Sequence, residues 1–145
     1  MVNMKENILV SACLLGERCR YDGKCKPCDE VIKLKEKYNL IPVCPEVLGG
    51  LETPRTPCEI KNGRVISSNG EDRTDEYKKG AEVALETAKR NNCNIAILKS
   101  KSPSCGKGKI YDGTFSSTLT DGNGITAQLL TENDIEVYTE IIKNP

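Results

Sequence analysis

Histidine is absent from the 145 residues. Without imidazole there is no Ser-His-Asp or Cys-His catalysis, and no His-containing zinc or haem site. Any metal must rest on sulfur and oxygen. Tryptophan is also missing and phenylalanine occurs once, too few rings for a platform that stacks single-stranded RNA. Neither sign of charge is in excess, with 21 basic against 21 acidic residues. That balance argues against a general nucleic-acid or membrane surface and leaves room for a local basic patch. No apolar run approaches the length of a transmembrane helix, and the one after Asn7 is too short for a signal-peptide core. These absences place the protein in the cytoplasm.

Cysteine is what the chain has in quantity: eight residues. In a reducing compartment such a count points to metal ligands or catalytic thiols more than to disulfides. Soft thiolates favour zinc or iron–sulfur clusters.

The length suits one ordinary domain, taken as residues 1–145. Residues 8–12, 40–43, 95–98 and 135–138 are short apolar runs and read as strands, the first three fully buried. Between them fall helical patterns. Asp29 is a candidate N-cap for a helix carrying Val31, Leu34 and Tyr38 on one face and closing at Asn39. Thr74 is a candidate cap for a long helix over 75–90, with Tyr77, Ala81, Ala84, Leu85 and Ala88 apolar. A short helix is expected over 125–131. Asn62-Gly63 between Ile60 and Arg64 signals a small hairpin. Residues 45–57, rich in Pro, Gly and Thr, are expected to lack regular structure. Strands alternating with helices imply an α/β domain of three layers around a mainly parallel sheet.

Cys13, Cys44 and Cys105 each follow a predicted parallel strand. In open α/β sheets the ligand crevice lies beyond those carboxyl ends, so three cysteines distant in sequence should converge in one cleft. Any one of them taken alone reads better as a small buried hydrophobe; it is the three equivalent positions that point to a shared site. The loops beside them add polar groups: Glu46 lies two residues after Cys44, and Ser102 and Ser104 precede Cys105. Pro45 and Pro103 stiffen these loops, and Gly106 and Gly108 let backbone amides approach an anion.

Five segments carry a resemblance. They are Ser-Ala-Cys-Leu-Leu-Gly with Cys-Arg-Tyr-Asp-Gly (11–23), Pro-Val-Cys-Pro-Glu-Val-Leu-Gly-Gly-Leu (42–51) and Pro-Arg-Thr-Pro-Cys-Glu-Ile (54–60), then Leu-Lys-Ser-Lys-Ser-Pro-Ser-Cys-Gly (98–106) and Ile-Tyr-Asp-Gly-Thr-Phe (110–115). In this order they resemble the 2-thiouracil desulfidase (TudS) family, formerly domain of unknown function 523. The resemblance implies a Rossmann-like fold and a [4Fe-4S] cluster with one iron not bound by protein. It maps Cys13, Cys44 and Cys105 onto the cluster ligands, and Glu46 and Ser102 onto the catalytic positions. It implies conversion of a thiolated pyrimidine such as 2-thiouracil to the oxo base with release of sulfide. The expected partner is therefore a small thiolated base. Free base, nucleoside and thiolated tRNA all stay open, as does the oligomeric state.

Cys58, together with the pair Cys25 and Cys28, departs from the family pattern. With Cys19 and a fourth group, Cys25 and Cys28 suggest a zinc site, or else two surface thiols at a helix start; Cys93 reads as packing. Arg20 and Arg55 either hold a substrate oxygen or pair with Asp22 and Glu52. Lys101 and Lys107 either offset cluster charge or are solvated. Two other functions fit the cysteines: a structural metal module, which should be closed by four ligands, and a persulfide carrier on Cys25 or Cys28.

Overall fold

The computed structural model of the chain describes residues 5–141. Four parallel strands form the central sheet: β1 (Glu6–Ser11), β2 (Tyr38–Val43), β5 (Ile95–Leu98) and β8 (Glu136–Thr139), in the order β2-β1-β5-β8. Strand β1 is central because both its faces are apolar. Ile8 and Val10 enter one core with Leu14, Val31 and Ile97. Leu9, pointing the other way, enters a second core with Ala96, Leu98, Ala127, Leu130 and Val137. Alternation of side chains along a strand thus divides one apolar run between two cores. Helices α3 (Thr74–Arg90) and α4 (Ile125–Glu132) cover the second core, and the short α1 (Asp29–Ile32) covers the first. The result is the three-layer α/β arrangement expected.

Several local expectations are corrected. Helix α1 passes into a 3-10 turn (Lys33–Glu36) and ends before Tyr38. Tyr38 instead opens β2 opposite Glu6 and still packs on the same core. The sheet ladder overrides a helical spacing that an extended strand satisfies equally well. Neither Asp29 nor Thr74 is an N-cap; those positions are Cys28 and Arg73. Asp72 Oδ1 accepts the Thr74 N–H at 2.9 Å, freeing the Thr74 hydroxyl to accept Val65 N–H at 2.9 Å and tie α3 to its neighbouring strand. Residues 45–57 are not wholly irregular, since Pro45–Leu48 forms one helical turn, α2. Proline at the first helical position loses no hydrogen bond there.

The hairpin around Asn62-Gly63 is present as β3 (Cys58–Lys61) and β4 (Arg64–Ser67), with both turn residues at positive φ as a type I′ turn demands. A second hairpin, β6 (Lys109–Tyr111) with β7 (Leu119–Asp121), lies in the glycine-rich stretch where no strand was expected.

Helix α2 is pressed onto α3 with no room for a side chain between them. A Cβ on Gly49 would lie 1.9 Å from Glu76 O, and one on Gly80 would lie 1.8 Å from Pro45 O. Alanine in place of a helical glycine normally stabilises by about 1 kcal/mol. Here the clash with backbone should win, so Gly80→Ala should destabilise by roughly 1–3 kcal/mol. A lowered urea midpoint at unchanged slope is the expected reading; an unchanged or raised midpoint contradicts the close crossing. The contact matters for the site, because α2 carries Glu46.

Candidate active site

Beyond the carboxyl ends of the parallel strands lies a cavity of about 440 Å³. The chain enters it three times. After β1, Ala12–Leu15 form a 3-10 turn with Cys13 at 8% exposure. After β2, Cys44 precedes α2. After β5, the loop from Lys99 leads to Cys105, at 4% exposure. All three cysteines line the cavity, as do Glu46 and Ser102.

The loop at Cys105 is fixed by its serines. Ser102 Oγ accepts the N–H of Ser104 at 3.1 Å and of Cys105 at 2.9 Å. Ser104, buried, donates its hydroxyl to Glu46 Oε2 at 2.9 Å. A serine has one hydroxyl hydrogen, so the Ser102 hydroxyl, 3.0 Å from that of Ser104, completes the line by donating to it. The order is Ser102 to Ser104 to Glu46. Helix α4 clamps this loop from behind. Its first N–H groups, at Ile125 and Thr126, are taken by the carbonyls of Pro103 and Ser104, which satisfies donors that every helix start leaves open. Ser11 Oγ accepts Lys99 N–H at 2.9 Å and stands 3.5 Å from Cys105 Sγ, joining the ends of β1 and β5.

Glu46 is held from its other side by Arg55. The guanidinium Nε donates to Glu46 Oε1 at 3.0 Å, with the side chains 8% and 13% exposed. Its other nitrogens donate to the carbonyls of Cys19 at 2.8 Å and Glu52 at 2.9 Å, and to Thr53 Oγ1 at 2.9 Å. The alternative expected at Arg55 is therefore corrected: it pairs with Glu46 and takes only the backbone of Glu52. Arg20 pairs with Asp22 at 3.7 Å at the cavity edge.

Three of the cavity thiols are held above the ordinary thiol range. Burial pushes Cys105 up to about 11. The neighbouring Cys13 thiol pushes Cys19 up to about 11, against an opposing contact with Cys44. Cys44 is raised by its hydrogen bond with Cys19 and by burial. Cys19 thus neighbours both Cys13 and Cys44, and Cys105 lines the same cavity beside Ser11 and Ser104. Burial raises the Tyr77 phenol and, with Glu46 next to it, keeps it neutral.

Sequence reasoning set Ser104 beside Cys105 without its tie to Glu46, and missed Ser11, Tyr77 and the position of Cys19. Only the serines stood near a flagged cysteine, and nothing local said which serine would face Glu46. Cys28 is no surface thiol: it is half-buried against the β1–α1 core at the N-cap of α1. Cys93 is core packing. Lys101 lines the cavity, whereas half-buried Lys107 donates to Thr131 outside it. Among the described residues, no three thiols or carboxylates close on a single metal ion, and no helix is long and apolar enough to cross a membrane.

Fold and cavity together define an α/β protein whose site lies at the carboxyl edge of a parallel sheet and offers thiols, serines and one clamped carboxylate. The family model for 2-thiouracil desulfurase matches residues 8–141. The chain is 42% identical over 143 residues to the uncharacterized protein YbbK of Bacillus subtilis (strain 168), covering 92% of this chain and 95% of that one. It also matches the structure of the [4Fe-4S]-dependent thiouracil desulfidase TudS with a TM-score of 0.89 and 42% identity, over 94% of this chain and 92% of that chain. The chain belongs to the 2-thiouracil desulfurase family.

Proposed function

We propose that this protein is an iron–sulfur-dependent desulfidase that converts a thiolated pyrimidine of the 2-thiouracil type to the oxo base and releases sulfide, in a reducing, cytoplasmic setting. The observation that carries the reading is the meeting of Cys13, Cys44 and Cys105 with the Glu46 carboxylate in one cavity. Family membership supports it.

The donor set fits a [4Fe-4S] cluster. The three proposed ligands are all sulfur, and the chain has no histidine to offer in their place. All three thiols line one cavity of about 440 Å³, and thiolates are the ordinary ligands of such clusters. Cys13, Cys44 and Cys105 would hold the cluster, and their protons would leave as it binds. Bound there, it supplies an iron free of protein, a soft Lewis acid for thiocarbonyl sulfur.

The chain's own groups do the rest. Overall, water adds its oxygen at the thiocarbonyl carbon, and the carbon–sulfur bond breaks with its electron pair on sulfur. The products are a carbonyl and hydrosulfide, with no net oxidation. Glu46 takes the proton of the attacking water. Arg55 and Ser104 fix the two carboxylate oxygens, so the base is aimed before substrate enters. Ser102, at the cavity wall, feeds the hydrogen-bonded line to Glu46 and holds the Cys105 loop beside it.

Anaerobic reconstitution followed by iron and acid-labile sulfide analysis tests the cofactor. Near-equal iron and sulfide with a broad brown absorption is expected. Zinc alone, or no metal, contradicts the reading.

A further inference from the structure

Phe115 is the chain's only phenylalanine, and the core does not use it. It is 40% exposed and lines the mouth of the cavity. Its backbone stands at φ 56°, a left-handed conformation that bulky residues rarely adopt. An isolated exposed aromatic would need no explanation. This one is held in a costly conformation by a dedicated support.

That support is Glu59 on β3. Its Oε1 accepts the N–H of Gly113 at 3.0 Å and of Phe115 at 3.1 Å. Asp112 Oδ1 accepts the Thr114 N–H at 2.9 Å and closes the turn between them. Gly113 stands at φ 93°, and a Cβ there would come within 2.8 Å of Ile60 O, so the loop sits directly on β3. A carboxylate binding two amides is a strong anchor. What it anchors is one aromatic ring beside the cavity. Tyr21, 41% exposed, lines the same cavity.

We infer that Phe115 is a specificity-determining residue whose ring stacks on the substrate base, selecting flat heteroaromatic thiones over saturated ones; this rests on the desulfidase reading. Every aromatic base has a π-face, so a stack tolerates ring substituents and rejects a puckered ring. Glu59 acts as a positioning residue for that ring.

The test uses the cluster-loaded protein. Phe115→Asn removes the ring and keeps the backbone, because Asn enters the left-handed region readily; Phe115→Tyr keeps the ring. Uracil affinity is measured by anaerobic calorimetry, and turnover is followed with 2-thiouracil and its 5,6-dihydro derivative. Phe115→Asn should weaken uracil binding and raise the 2-thiouracil KM by about tenfold, with kcat within about twofold. Phe115→Tyr should match the wild type, and the dihydro substrate should not distinguish Asn from Phe. Unchanged uracil affinity in Phe115→Asn overturns the inference. So does an equal loss for both substrates, which signals a collapsed loop instead of a lost stack. If the wild type releases no sulfide from 2-thiouracil, the desulfidase reading falls, while uracil affinity of the two variants still decides the stack.

Discussion

Cys13→Ser, Cys44→Ser and Cys105→Ser should each abolish iron binding and sulfide release together. Serine keeps the size of cysteine but offers a hard, weakly acidic hydroxyl where a soft thiolate is needed. The fold should survive. At Cys105 the new hydroxyl would face Ser11 and Ser104, both polar, and at Cys44 it would face the Cys19 carbonyl that the thiol already contacts at 3.6 Å. Iron content falling to background, with unchanged far-ultraviolet dichroism, is the expected pair of readings. Cys25→Ser and Cys28→Ser should alter neither iron nor turnover, since neither residue lines the cavity. Iron retained in Cys13→Ser and lost in Cys25→Ser would sink the ligand set and favour a carrier thiol.

Glu46→Gln should separate chemistry from cofactor. The amide keeps the shape of the carboxylate and cannot take a proton from water. Turnover should fall by ~10²–10⁴, the usual contribution of a general base, with iron content unchanged. Full activity in Glu46→Gln contradicts water activation by this residue even where the cluster stands. Ser102→Ala separates the two less cleanly, because Ser102 also holds the amides of Ser104 and Cys105. It should lower turnover and loosen the Cys105 loop as well.

The parts of this molecule legible in its sequence are those fixed by short-range rules. The apolar run of β1 reads as a buried strand because both its faces meet a core. Helix α3 reads from its acidic start and basic end, and the Asn62-Gly63 turn from the two positive φ angles it needs. Strand ends then bring three cysteines to one edge. What stays hidden depends on tertiary partners. Tyr38 satisfies helix and strand patterns alike and is settled by pairing with β1. The hairpin of β6 and β7 has three-residue strands, too short to show a period. Arg55 sits near Glu52 in sequence and nearer Glu46 in space. Ser102 and Ser104 are chemically alike, and only the approach of α2 makes Ser104 the partner of Glu46. The close crossing at Gly49 and Gly80 that sets this approach leaves no periodic signal, because it is made of absent side chains.

Anaerobic turnover in ¹⁸O-labelled water, with no reductant present, tests the central claim most directly. Cluster-loaded protein should convert 2-thiouracil to uracil carrying one solvent oxygen, with one sulfide released for each uracil, and metal-free protein should be inert. Unlabelled uracil, or desulfidation by the metal-free protein, would contradict it.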